Sequence, residues 1–365
     1  MIAGGGTAGH VLPALAIARA LVARGRPREA IHFVGAERGI EGRLVPEAGF
    51  GLTVLPGRGV ARRLTLQNVG ALAGLAVAGV RAVRLLARLR PAVVISVGGY
   101  ASVPCVAAAC VLRIPLVVAE QNAVPGAANR LAARLARATA VSFEGTPLPR
   151  AVVTGNPVRA EIVAVDRGPA GRTAARRALG LPLDRAVVAG FGGSLGARRI
   201  NDALTGLAAS WAERDDLAIR HIVGERDWDA VVGARPDLPT DGLVYQQVRY
   251  EERMDAVFAA ADVVVCRAGA STVAEVAVVG LPAVLIPLPG APGDHQGANA
   301  RALAAAGAAV VVPDAEVTPE RLAAELDRIL SDEPLRARME GAGRQFAHPD
   351  AADAVARLAE EHARG

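Results

Sequence analysis

Two glycine-rich turns constrain this chain more than any other feature. The first, Gly4-Gly5-Gly6-Thr7-Ala8-Gly9-His10, follows the short apolar stretch Met1 to Ala3. The second, Gly190-Phe191-Gly192-Gly193-Ser194-Leu195-Gly196, follows Ala186 to Ala189. Both run into helical patterns. A glycine turn between strand and helix lets backbone N–H groups approach a phosphate without Cβ interference, with the positive end of the helix behind it. One such turn points to a nucleotide. Two, about half a chain apart, point to two Rossmann-like domains facing a shared cleft.

The rest of the chain fits that frame. Apolar β-type runs alternate with helical patterns throughout, the mark of a parallel sheet with helices on both faces. Expected strands in the first half, after Met1–Ala3, are Ile31–Val34, Leu52–Leu55, Ala92–Val97, Leu116–Ala119, Ala138–Val141 and Ala151–Val153. In the second half they are Arg185–Ala189, Ala218–Ile222, Leu243–Tyr245, Asp262–Cys266, Ala283–Ile286 and Ala309–Val312. The first strand is short against the usual length, so the natural start is expected a few residues upstream. At 365 residues, with about 150 per domain as the prior, two domains are expected: 1–160 and 161–347. The mixed-charge stretch 159–172, with Gly168-Pro169, reads as the linker. Residues 348–365 hold a terminal helix (350–363) that can pack on either domain and is expected back on the first.

Charge is unevenly spread. Residues 1–160 hold 19 Arg against six acids, all Glu, whereas residues 161–365 hold 22 Arg against 30 acids. There is no Lys, a bias that would act on both halves alike, so the asymmetry has another origin. A basic half reads as a surface for an anionic partner: nucleic acid, phosphate or a membrane face. Aromatics make up only 3%, and no recognition motif is present, which disfavours nucleic acid. Cys105, Cys110 and Cys266 lie in apolar runs without CxxC spacing and read as small buried hydrophobes of a reducing compartment. The six His form no HExxH or other ligand pair, so no protein-held zinc is expected. The apolar run Val69 to Val80 falls short of the roughly 20 residues of a spanning helix and reads as buried or interfacial. No secretory signal is visible, so the expected compartment is the cytosol.

Gly4, Gly6 and Gly9 satisfy G-x-G-x-x-G, but the acid that would hold a dinucleotide's ribose at the end of the second strand is missing, since Glu37 arrives late. No GK[ST] follows the turn, so a Walker-type site is excluded. Further polar breaks follow predicted strands: Ser96 to Ser102, Glu120-Gln121-Asn122 and Gly155-Asn156-Pro157-Val158-Arg159. With the first glycine turn these make four insertions at one sheet edge, which read as one site, because open α/β sheets bind ligands at their strands' carboxyl ends. In the second half, Arg267-Ala268-Gly269-Ala270-Ser271-Thr272-Val273-Ala274-Glu275 admits two readings. One is a capping box, Thr272-x-x-Glu275; the other is a pyrophosphate turn with Glu275 accepting two ribose hydroxyls. The loop Pro287 to Gln296, with Asn299, suits a sugar or is a plain loop. Asp227-Trp228-Asp229 matches a metal-binding D-x-D pattern but reads better as a solvated helix start, away from any glycine turn.

Together these segments resemble the MurG-type enzymes of peptidoglycan synthesis, nearly end to end. The resemblance rests on Gly5-Gly6-Thr7-Ala8-Gly9-His10 with Pro13-Ala14-Leu15-Ala16, Gly98-Gly99-Tyr100, Glu120-Gln121-Asn122 and Gly155 to Arg159. It continues through Gly192-Gly193-Ser194-x-Gly196-Ala197, Ala261 to Arg267 and Asp294-His295-Gln296. It implies an α/β chain of GT-B fold. It also implies an inverting transferase that moves N-acetylglucosamine from UDP-GlcNAc to the C4 hydroxyl of the muramyl sugar in lipid I, giving lipid II for cell-wall synthesis, cell shape and division. The second domain would hold the donor and the first the lipid-linked acceptor. Donor residues implied are Thr7, Ala8, Gly9, Asn122, Arg159, Ser194, Ala270, Ser271, Thr272, Val273, Ala274, Glu275 and Gln296. Gly98, Gly99 and Tyr100 fall on the acceptor side. The family reads Gly at Ala8, so a methyl is expected to intrude on the tightest part of the turn. Tyr250-Glu251 departs from the aromatic-aliphatic pair expected near the uracil.

That chemistry needs a base and positive potential for the departing UDP. His10 is the first candidate base, because imidazole titrates near working pH, against the plainer reading of a helix-start residue bonded to backbone. Glu120 is the second. No cofactor or metal is implied, and backbone N–H groups with Arg159 would stabilise UDP. From Ala48 to Ala119 there is no acid but Arg58, Arg62, Arg63, Arg81, Arg84, Arg88, Arg90 and Arg113 are present. Together with the resemblance, this is expected to place the chain peripherally on the anionic inner leaflet of the cell membrane, on its cytoplasmic face, and the resemblance implies cell-wall synthesis or division proteins as further partners. The alternatives are another GT-B transferase with a different acceptor and a dinucleotide oxidoreductase.

Overall fold

The fold is that of a computed structural model, which describes residues 1–37, 39–56, 66–193 and 196–364, with side chains omitted for 66–73. Arg58, Arg62, Arg63 and Ser194 lie outside the described residues. The chain divides into two compact units, Met1–Arg159 with His348–Gly365, and Ala160–Ala347.

In the first unit, β1 (Ile2–Gly4), β2 (His32–Ala36), β3 (Gly51–Leu55), β4 (Val94–Gly98), β5 (Leu116–Glu120), β6 (Ala138–Val141) and β7 (Ala151–Val153) form a parallel sheet. Their spatial order is β3-β2-β1-β4-β5-β6-β7. Helices α1 (Ala8–Ala23), α2 (Glu41–Glu47), α3 (Leu66–Leu89), α4 (Ser102–Val111) and α5 (Ala127–Leu135) connect the strands. Strand residues sort to the two faces with period two, as the pleat requires. Ile2, Ile95, Val97, Val117 and Ala119 pack on one face. Ala3, Val94, Leu116 and Val118 pack on the other, with Ala78, Ala82 and Leu86 of α3 and Cys105 of α4.

The second unit begins with α6 (Ala160–Val163) and α7 (Pro169–Leu179). Its parallel sheet holds β8 (Ala186–Phe191), β9 (Leu217–Ile222), β10 (Val244–Val248), β11 (Val263–Cys266), β12 (Ala283–Leu285) and β13 (Ala309–Val311), in the order β10-β9-β8-β11-β12-β13. Around it lie α8 (Arg198–Ser210), α9 (Trp228–Gly233), α10 (Met254–Ala260), α11 (Ala270–Val279), α12 (His295–Ala305), α13 (Pro319–Ser331) and α14 (Glu333–Phe346). Caps set several ends. The Thr318 hydroxyl accepts from Arg321 N at 3.2 Å and Asp332 from Leu335 N at 2.8 Å, while Gly280 closes α11 in the left-handed region.

Every expected strand is present, with ends displaced by up to three residues. The stretch 159–172 is not a loose linker. It contains α6 and the start of α7. Arg167, half-buried, donates to the carbonyls of Phe258 (2.9 Å) and Ala261 (2.7 Å) at the end of α10 and pairs with Glu340. Arg172 and Arg176 both pair with Asp262, which also accepts from Val187 N at 2.7 Å. Charge that reads as solvated in sequence is here spent on organising a helix–sheet junction.

The last helix, α15 (Ala351–Glu361), packs on α1. Val355, Leu358 and Ala359 enter the core with Leu15, Ala18 and Ala138, while Asp353 and Glu360 pair with Arg24 across the helix edge. Leu358→Ala should therefore cost the first unit about 2–5 kcal/mol, read as a lower midpoint in far-UV circular dichroism melting. An unchanged midpoint would mean that α15 adds nothing to that core.

Candidate active site

In each sheet the strand order reverses at one place: between β1 and β4 in the first unit, and between β8 and β11 in the second. Helices leave such a pair of strands in opposite directions, so a crevice opens at their carboxyl ends. The two glycine turns, the Gly98-Gly99 turn and the Arg267–Thr272 turn occupy these four strand ends. At the first switch point the β1–β4 register shifts between Ala3 and Gly4. Gly5 N then donates to Gly98 O at 3.3 Å.

The turn after β1 delivers His10 to that crevice. Thr7 is the N-cap of α1, but its hydroxyl bonds the His10 ring, Oγ1 to Nδ1 at 3.1 Å, rather than capping the backbone. A Cβ at Gly98 would stand 3.3 Å from His10 Nε2 and 3.2 Å from Asn129 Nδ2, and its φ of +89° is left-handed. Glycine is thus needed there twice over. Ala8 is exposed at the first position of α1, so its methyl is tolerated. The tightest approaches are those of Gly4 to Gly98 and of Gly99 to Gly5. Tyr100 donates its hydroxyl to Pro56 O at 3.4 Å, and burial raises its pKa.

Glu120, at the end of β5, is buried and saturated with donors. Its Oε1 accepts from Asn122 N (2.9 Å) and Asn122 Nδ2 (3.2 Å); its Oε2 accepts from Gly126 N (3.0 Å) and Asn129 Nδ2 (3.0 Å). Asn129 also donates to Ala119 O at 3.2 Å. This carboxylate folds the loop that carries Asn122 and fixes the amide beside His10. Thr7, His10, Gly98, Glu120 and Asn122 therefore belong to one constellation. Arg159 follows β7, which lies two strands along the sheet from β5.

In the second unit, the N-cap of α11 is Gly269, not Thr272, and no side chain caps it. The Thr272–Glu275 capping box is therefore not formed, and Thr272 stands one turn inside the helix start. Val273 is buried, and its N–H is donated to Gly269 O at 2.9 Å. The Ser271 hydroxyl is buried without a hydrogen-bond partner among the described residues. Glu275 is buried, and burial first, with its carboxylate second, raises the Cys266 thiol pKa. Gln296 accepts from Leu288 N at 2.9 Å and Asn299 donates to Ala268 O at 3.2 Å, tying α12 to both neighbouring loops.

The Asp227-Trp228-Asp229 segment is the expected helix start, with Asp227 as the N-cap of α9, but it is only partly solvated. Asp229 projects into solvent, but Asp227 is buried against the second glycine turn. A Cβ at Gly196 would stand 3.1 Å from Asp227 Oδ2. Asp227 also accepts from Asn201 Nδ2 at 3.1 Å and from both arms of Arg226. The amide oxygen of Asn201 meets His221 Nε2 at 3.0 Å, and His221 Nδ1 meets the Tyr245 hydroxyl at 2.8 Å. Glu251, near the expected uracil contact, is half of a buried ion pair with Arg220. Among the described residues no group of three or more His, Cys, Asp or Glu could hold a metal ion.

Comparison with known proteins accounts for the paired switch points. Residues 1–141 match the glycosyltransferase family 28 N-terminal domain and residues 187–355 its C-terminal domain. The chain is 42% identical, over 100% of its length and 99% of the relative's, to an Alkalilimnicola ehrlichii protein. That relative is named UDP-N-acetylglucosamine--N-acetylmuramyl-(pentapeptide) pyrophosphoryl-undecaprenol N-acetylglucosamine transferase. A Nocardioides protein of the same name is 41% identical, covering 98% and 96%. The crystal structure of Acinetobacter baumannii MurG superposes with a TM-score of 0.79 at 32% identity, covering 99% of each chain. The chain belongs to the MurG-type transferases of glycosyltransferase family 28. Its two parallel-sheet units are the Rossmann-like halves of the GT-B fold.

Sequence reasoning passed over Asn129, Asn201, His221 and the organising role of Asp227. Their signal is faint, since a buried Asn or His within a helix or strand pattern is visible only as a polar residue at an apolar position. Burial holds the His221 imidazole down at about 4, against an ordinary 6.5. The unfolded chain then binds the extra proton, so stability is complete above the ordinary value and falls as pH drops from 6.5 to 4. At about 1.4 kcal/mol per unit the loss reaches about 3 kcal/mol. His221→Gln should flatten that part of the melting-temperature profile. A profile of unchanged slope would remove His221 as its cause.

Proposed function

We propose that the chain transfers N-acetylglucosamine from UDP-GlcNAc to the C4 hydroxyl of the muramyl sugar of lipid I, with inversion, giving lipid II. One observation carries the mechanism: an imidazole oriented by Thr7 at the first switch point, beside Gly98 and Asn129. His10 takes the proton of the C4 hydroxyl as that oxygen bonds to the anomeric carbon. The bond from that carbon to the β-phosphate oxygen breaks, and UDP leaves with the electron pair. Glu120 is a positioning residue in this scheme, since its lone pairs are engaged by four donors.

In the second unit, the first-turn N–H groups of α11 and the Ser271 hydroxyl, whose hydrogen bond is unmet, are suited to the donor's phosphates. Glu275 is the partner for the ribose, and Gln296 presents the sugar loop. Ala274 and Ala270 contribute backbone or contact area, Arg159 meets the departing diphosphate, and Gly98, Gly99 and Tyr100 face the acceptor. Thr7, Ala8 and Gly9 supply the N–H groups at the start of α1.

Acceptor-dependent UDP release from UDP-GlcNAc in EDTA, with a short-chain lipid I analogue, is the expected result. No release even with added Mg²⁺ would sink the assigned substrates and favour another acceptor for the same fold. His10→Ala should lower kcat by about 10²–10⁴-fold with little change in donor KM. Wild-type turnover would remove it as base.

The first unit is also the part we assign to the cytoplasmic face of the cell membrane. No helix among the described residues is long and apolar enough to cross a bilayer. Instead Arg81, Arg84 and Arg88 form an exposed stripe on α3 beside Val77 and Val80, 48% and 52% exposed. Each Arg near an anionic leaflet contributes about 1 kcal/mol. Replacing the three by Ala should weaken co-sedimentation with phosphatidylglycerol vesicles about a hundredfold. Equal binding by the variant would move the membrane contact elsewhere.

A further inference from the structure

The first glycine turn has the form of an anion cradle, and a carboxylate of the chain itself already sits in it. Glu41, the first residue of α2, is 1% exposed. Gly6 N–H donates to its Oε2 at 2.9 Å and Ala36 N–H to its Oε1 at 2.8 Å. Gly6 lies in the turn after β1, and Ala36 is the last residue of the adjacent strand β2. A Cβ at Gly5, Gly35 or Gly39 would overlap this side chain, so one glycine of β2 and one from the turn after each of β1 and β2 clear the space it fills. A charge buried to this degree is tolerated only when hydrogen bonds replace its water. None of the chemistry assigned to His10, Glu120 or the donor-binding residues uses it.

We propose that Glu41 is the built-in anion of the first glycine turn. It is a positioning residue that clamps Gly5 and Gly6, and through Thr7 the start of α1, so that the His10 ring is held at Gly98 and Asn129. The Gly6 N–H is consequently spent inside the protein. An anionic ligand approaching this turn is left the N–H groups at the start of α1, those of the N-cap Thr7 and of Ala8 and Gly9 in the first turn. β2 runs to Ala36, so Glu37 follows it directly, two residues nearer the strand end than the sequence reading placed it, and the acid that turns inward to the glycine turn is Glu41. The part of this concerning His10 rests on its reading as the base.

The test compares wild type, Glu41→Gln and Glu41→Ala in steady-state transfer. Circular dichroism melting and hydrogen exchange of a peptide spanning residues 2–11 are measured on each. Gln keeps the shape but turns an NH₂ group toward one of the two N–H donors. Its kcat should fall about tenfold or more, with donor KM changed less than about threefold and faster exchange in the peptide. In Glu41→Ala, formate fits the vacated space and gives both N–H groups an acceptor again. It should restore kcat saturably, where chloride at equal ionic strength does not. Wild-type kcat in Glu41→Gln would overturn the proposal. So would a loss of kcat with unchanged exchange in residues 2–11, or failure of formate in a folded Glu41→Ala protein. If Glu41→Ala does not fold, the Gln variant decides alone. Absence of transfer in the wild type would instead defeat the functional reading, and the exchange of residues 2–11 would then decide on Glu41.

Discussion

The close backbone approach of β1 and β4 at their carboxyl ends is the contact on which the first unit's site depends. The pairing slips by one residue between Ala3 and Gly4, so the chain leaves the ladder while still bonded to it through Gly5 N and Gly98 O. A bulge of this kind bends the strand and re-aims the backbone beyond it. Here it turns α1 so that His10 stands over Gly98, and only glycine at 98 leaves room for the imidazole and for Asn129. Everything else assigned to this face, from the Thr7 hydrogen bond to the Asn122 loop, is hung on that junction.

Buried acids recur in the same office. Glu120 gathers a loop by accepting two backbone N–H groups and two amides. Asp227 steadies the second glycine turn through Asn201 and Arg226, and Asp262 joins α7 to β8. Glu120 accepts N–H groups of a turn, Asp262 one from β8, and Asp227 donors from side chains, and each offsets its own desolvation with these hydrogen bonds. Placing an acid near a ligand site therefore does not make it a base. For Glu120 the count of donors already in place is what argues for a positioning role.

How much of this was legible in the sequence differs from element to element. The strands were legible because buried parallel strands are short apolar runs bounded by turns, and Val94–Gly98 or Leu116–Glu120 can be little else. The helix start at Gly269 was legible only as one of two alternatives, because Thr272-x-x-Glu275 also satisfies a local rule that the actual backbone does not use. Local pattern also misplaced Asp227, which looks solvated until α9 folds it onto Gly196, and the stretch 159–172, whose Arg residues look free until α10 offers its carbonyls. In each case the deciding partner lies far along the chain.

The sequence by itself determined the alternation of strands and helices, the two glycine turns and their positions after strands. These are local: they come from side-chain period, from glycine's missing Cβ and from the orphan N–H groups of a helix start. Only the tertiary structure decided which turns share a crevice, which acids are consumed as internal acceptors and where α15 returns to pack. Those outcomes depend on strand order and on hydrogen bonds between residues as distant as Gly6 and Glu41 or Arg24 and Glu360. No local periodicity records such pairings, because burial and satisfied hydrogen bonds are properties of the folded whole.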